Sequence, residues 1–132
     1  MTQEPVSALS LQEFEEAVAD GLDLIPEDLA EAMDNVVVLV QEEPDADMLR
    51  EEDYDEQGLP TLLGLYDGTP LTQRDDSWSL ALPDRILVFR GPLQRWCATR
   101  EELVDQIAVT VIHEVAHHFG IDDARLHELG WD

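Results

Sequence analysis

Residues 100–119 constrain this fold more than any other part of the chain. Thr99 and Glu102 form a capping box at the start of the segment, and Gly120 stands where a helix is commonly ended by a left-handed residue. The spacing predicts one helix over 100–119, about 30 Å long at 1.5 Å per residue. On a wheel of about 100° per residue, Val104, Ile107, Ala108, Val111 and Val115 cluster, while Gln106, Thr110, His113 and His117 fall opposite. His118 falls near the edge of the apolar stripe and reads as a packed, hydrogen-bonded histidine.

The rest of the chain supplies what that helix must pack against. Ser10 and Glu13 make a capping box ahead of Leu11, Phe14, Ala17 and Val18, predicting a helix over 11–20 that stops near Gly21. Pro26 suits a first helical position, so a short helix to Asp34 follows. Val36 to Val40 is continuously apolar and β-branched, which predicts a strand covered on both faces. Thr61–Tyr66 and Arg85–Phe89 are two further strands, and Asp122 or Asp123 starts a last short helix through Leu129. Two helices, a small sheet and two more helices make an α+β chain, read as a single domain over 1–132. Cys97 reads as a small buried hydrophobe, and Trp78, Trp96 and Trp131 as core or helix-docking anchors.

Charge narrows the partners. The chain has 7 Lys+Arg against 31 Asp+Glu, a formal net charge of −24. Such a polyanion repels phosphate backbones and anionic lipid, so neither nucleic acid nor membrane is an expected partner, whereas a basic one is. Residues 1–60 hold 19 acids and one base, and 61–132 hold 12 acids and six arginines. The densest run, residues 42–58, reads as a solvated acidic loop, or as a flap that competes for the site. No apolar run approaches the ~20 residues of a spanning helix. The N-terminus lacks the basic and apolar regions of a signal peptide, and one cysteine cannot close an intrachain disulfide, so a cytoplasmic monomer is expected.

The predicted long helix contains His113-Glu114-Val115-Ala116-His117, an HExxH sequence. Histidines four apart lie one turn apart on one face, so both imidazoles can reach one ion. Glu114, offset by about 100°, can take a proton from water held beside it. The stretch continues as HExxHxxGxxD, in which Gly120 can turn the chain back and bring Asp123 to the ion as third ligand. Glu128 is a second choice, since its spacing from His117 is short for such a role. Shuffling this composition would produce the five fixed positions in only about 1 in 10⁴ chains, so the pattern is specific.

HExxHxxGxxD in so small a chain resembles the minimal zincins, compact bacterial zinc-metallopeptidase-like proteins, and is close to the metzincin pattern with Asp in the last place. The stretches Leu65-Tyr66-Asp67-Gly68-Thr69-Pro70-Leu71 and Arg85-Ile86-Leu87-Val88-Phe89-Arg90 look like the same family, and the likeness extends from about residue 20 to 132. The resemblance implies a small twisted sheet packed on the active-site helix, with an edge strand lining a cleft for an extended peptide. It implies Zn²⁺ on His113, His117 and Asp123, with Glu114 as general base in peptide-bond hydrolysis. Tyr66 and His127 are candidates for stabilising an oxyanion. The alternative is a non-catalytic zinc-binding module that works as an interaction or regulatory protein through its acidic surface.

Overall fold

The computed structural model describes residues 9–33, 36–68 and 84–129. Helix α1 (Leu11–Leu22) opens with the expected reciprocal cap: the Glu13 amide donates to Ser10 Oγ at 3.1 Å and the Ser10 amide to Glu13 Oε1 at 3.0 Å. Helix α2 (Glu27–Ala32) follows, then strand β1 (Val36–Gln41), β2 (Gly64–Asp67) and β3 (Asp84–Phe89). The chain continues through helices α3 (Arg90–Trp96), α4 (Arg100–His118) and α5 (Asp123–Leu129). The three strands form one mixed sheet in the order β1-β3-β2, with β1 parallel and β2 antiparallel to β3. This is the expected α+β architecture.

Phe14, Ala17 and Val18 of α1 and Leu103, Ile107, Val111 and Val115 of α4 share a buried core with Ile86 and Val88 of β3. Gly21 allows the close crossing of α1 and α4, because a Cβ there would lie 2.9 Å from Ile107 Cγ2 and 3.0 Å from the Val104 carbonyl. No helix among the described residues is long and apolar enough to cross a membrane.

Three expectations need correction. Strand β1 is covered on one face only: Val37 and Leu39 are 40% and 43% exposed, because β1 is an edge strand whose alternate residues point away from the core. A continuous apolar run does not distinguish that arrangement from a strand buried on both faces. Helix α3 was not expected, although Pro92 in its first turn is a compatible signal. Trp96, at its end, is 66% exposed and so no core anchor, but its Nε1 donates to Gln106 Oε1 of α4 at 3.2 Å, in keeping with the helix-docking alternative. Trp78 and Trp131 lie outside the described residues.

The acidic run has local order of its own. It contains two 3₁₀ turns (Ala46–Met48 and Glu51–Asp53) and a tight turn at Gly58, whose φ is 79°. Asp55 Oδ1 accepts from the amides of Gln57 and Leu59, both at 2.9 Å, and Tyr54 bridges Pro60. The run is fixed on α3. Arg95 grips Glu43 through two nitrogens at 2.9 and 3.1 Å and donates to the Pro60 carbonyl at 2.7 Å, while the Gly91 amide donates to the Glu42 carbonyl at 2.8 Å. One guanidinium therefore holds both ends of the acidic stretch. Cys97 is buried as expected, and burial pushes its thiol pKa up to about 11.

Candidate active site

Helix α4 carries the candidate chemistry, and its two ends fix the helix firmly. At the start, Thr99 Oγ1 accepts from the Glu102 amide at 3.2 Å. At the end, the Gly120 amide donates to the His117 carbonyl at 3.1 Å and the Ile121 amide to the Ala116 carbonyl at 2.8 Å, with Gly120 at φ 76°. This is the Schellman closure, and it reverses the chain immediately after the second motif histidine. Asp122 Oδ1 then accepts from the Arg125 amide at 2.8 Å, as an N-cap does, so α5 begins at Asp123. Leu126 is fully buried and pins α5 to the core.

The two motif imidazoles lie on one side of α4 with ring centroids 6.1 Å apart and planes 24° from parallel. His113 is half-buried and His117 is exposed. Two nitrogens one turn apart suit zinc, which takes His at about 2.0–2.1 Å. Among the described residues no group of three His, Cys, Asp or Glu side chains converges as a metal site. The donor set therefore fits a zinc site in two of its three protein ligands. The third expected ligand is Asp123, whose backbone opens α5 and whose side chain lies outside the described set. The other candidate, Glu128, is exposed and pairs with Arg125 at 3.0 Å within α5.

Glu114 lies between α4 and the sheet. Its Oε1 accepts a hydrogen bond from the main-chain amide of Tyr66 on β2 at 2.9 Å. The register explains why that amide is available. Phe89 N–H donates to the Leu63 carbonyl at 2.9 Å, so with Tyr66 opposite Ile86 the alternation turns the Tyr66 amide away from β3. Burial raises the Glu114 carboxyl above its ordinary pKa, opposed by the Tyr66 hydrogen bond and by the charges of His117 and His113. A carboxylate that binds a proton more readily than usual, beside two imidazoles, has the properties of a general base.

Strand β2 reaches α4 because residue 64 is glycine. A Cβ there would lie 2.6 Å from Thr110 Cγ2 and 3.1 Å from the Leu87 carbonyl. The same contact corrects the helical wheel: Thr110 sits on the expected polar side yet is buried, because the sheet covers that side of the helix. His118 packs as expected, but at the surface. Its side chain is 40% exposed, and its ring lies flat on Tyr66 with centroids 3.9 Å apart and planes 10° from parallel. The Tyr66 hydroxyl, an expected oxyanion candidate, donates to Asp84 Oδ2 at 2.7 Å. His127, the other candidate, is exposed on α5. Sequence reading missed the main-chain amide of Tyr66, which carries no residue signature.

The family model for zincin-like metallopeptidases matches residues 33–131, which span all three strands and helices α3 to α5. The chain belongs to the zincin-like metallopeptidase family. The match starts later than the residue 20 expected from the resemblance, leaving α1 and α2 outside it but including the acidic run. No curated protein matches the chain.

Proposed function

We propose that this family member is a zinc-dependent hydrolase of peptide bonds, with zinc held by His113, His117 and Asp123 and Glu114 acting as general base. The observation that carries this reading is the half-buried Glu114 carboxylate, held beside two imidazoles one turn apart by an edge-strand amide. When bound, zinc supplies Lewis-acid polarisation of a carbonyl and of water. With Oε1 fixed on Tyr66, Glu114 Oε2 is the atom that takes the proton from the attacking water and returns it to the leaving amine. The raised carboxyl pKa suits both steps, since the same group must gain and then release that proton. An extended peptide laid beside β2 and α4 would bring its scissile carbonyl to the histidine pair.

The net charge of −24 favours basic peptides or proteins by long-range attraction, and a single cysteine suits a cytoplasmic setting. Zinc-loaded protein incubated with a diverse peptide library is expected to cleave it, to stop when zinc is chelated, and to slow by about 10²–10⁴ in Glu114→Gln with zinc retained. Asp123→Ala is expected to lower zinc content by elemental analysis. Full activity in Glu114→Gln would remove Glu114 as base. Zinc retention by the wild type without any cleavage would favour the acidic interaction module instead.

A further inference from the structure

The hydrogen bond from the Tyr66 amide places one oxygen of Glu114, yet β2 is only four residues long and lies at the edge of the sheet. Short edge strands fray readily, so an amide that must hold a carboxylate needs support from its own side chain. Tyr66 has that support on two sides. Its ring lies against His118 with centroids 3.9 Å apart, which ties β2 to α4 one residue beyond His117. Its hydroxyl donates to Asp84 Oδ2 at 2.7 Å, which ties β2 to the first residue of β3. Asp84 Oδ2 also stands 3.9 Å from His118 Nε2, so the phenol, the imidazole and the carboxylate brace one another.

We infer that the Tyr66 side chain is a positioning device for Glu114: braced by His118 and Asp84, it holds the residue-66 amide on the carboxylate and so fixes the orientation of the base. This assignment rests on Glu114 being the base of the proposed hydrolase. It replaces the expected oxyanion role of Tyr66, since the hydroxyl is directed to Asp84. Register makes the device sensitive, because a slip of β2 by one residue would turn the Tyr66 amide toward β3 and its side chain to the other face of the sheet.

The test uses metal-free, ¹⁵N-labelled protein and reads the chemical shift of the residue-66 amide proton, calibrated by its upfield displacement in Glu114→Ala. Tyr66→Leu, which removes both braces, is expected to move that signal at least halfway to the Glu114→Ala position. Tyr66→Phe keeps the stack and is expected to fall between Tyr66→Leu and wild type. In the zinc-loaded protein, Tyr66→Leu is expected to lower kcat about tenfold with KM within twofold of wild type. An unmoved amide signal in Tyr66→Leu, with the fold retained, overturns the inference. The amide readout needs neither zinc nor substrate, so a wild-type protein that cleaves nothing would defeat the proposed function without deciding this point. Conversely, a cleaving wild type with an unmoved amide in Tyr66→Leu would defeat this inference alone.

Discussion

Helix α4 is approached closely on two sides, each time by a glycine, and the two contacts do different work. At Gly21 the neighbour is α1, and the atoms brought together are Ile107 and the Val104 carbonyl within the apolar core. At Gly64 the neighbour is β2, and the contact is with Thr110, one turn before His113. The first approach joins apolar surfaces over several turns and stabilises the chain by burial. The second joins a short strand to the helix over little area, but it brings the Tyr66 amide to Glu114. Close packing can thus serve stability in one place and alignment in another on the same helix.

Adding a single methyl group at each glycine separates these roles. Gly64→Ala is expected to have the larger effect. Its Cβ would meet Thr110 Cγ2 at 2.6 Å, so the strand or the helix must move, at a cost of about 1–3 kcal/mol. Hydrolysis per folded molecule should fall as well, because the shift withdraws the amide from Glu114. Urea denaturation paired with peptide cleavage checks both effects, and unaltered cleavage would show that β2 need not approach so closely. Gly21→Ala is expected to cost less than about 2 kcal/mol, since overpacking against Ile107 is partly offset by a gain in helix propensity of about 1 kcal/mol. Cleavage per folded molecule should stay at the wild-type level, and a loss there would mean that the α1 contact also sets the site.

The smallest effect expected concerns the charge on the β2 side. Burial raises the folded-state pKa of Glu114 above its unfolded value, so the stability this group contributes to the metal-free protein is fully present below the unfolded pKa. It is lost as pH rises through the folded pKa. Glu114→Gln removes that loss while keeping an oxygen for the Tyr66 amide. The metal-free variant should therefore gain on wild type as pH rises above 4.5, the ordinary carboxyl value. Unfolding free energies that run parallel across pH would show that burial does not bear on this carboxyl.

Much of the α4 side was legible in the sequence because its determinants are local. Thr99, Gly120 and the four-residue spacing of His113 and His117 act within a turn or two of themselves; Gly120 and the histidines took the expected local form, while the Thr99 box formed by half, its hydroxyl accepting from the Glu102 amide and the Glu102 carboxylate taking the Ala98 amide instead. The cap at Ser10 was readable for the same reason. What escaped depends on partners distant in the chain. Glu114 and Tyr66 are 48 residues apart, and the bond between them uses a main-chain donor. Thr110 is buried because Gly64 makes room above it, and Val37 and Leu39 are exposed because β1 is an edge strand. Neither circumstance is written in the periodicity of the segment concerned. The placement of Asp123 toward a metal remains an expectation from sequence, carried by the turn at Gly120 and the start of α5.

The grip of Arg95 on Glu43 and on the Pro60 carbonyl has a consequence for chain continuity. Because both ends of the acidic stretch are held on α3, a cut between residues 45 and 58 would not release them. The piece before the cut would stay paired through β1 with β3, and the piece after it would keep β2, β3 and α4 together. This exposed segment is therefore a natural place to open the chain, insert a reporter or build new termini while the histidine pair keeps its surroundings.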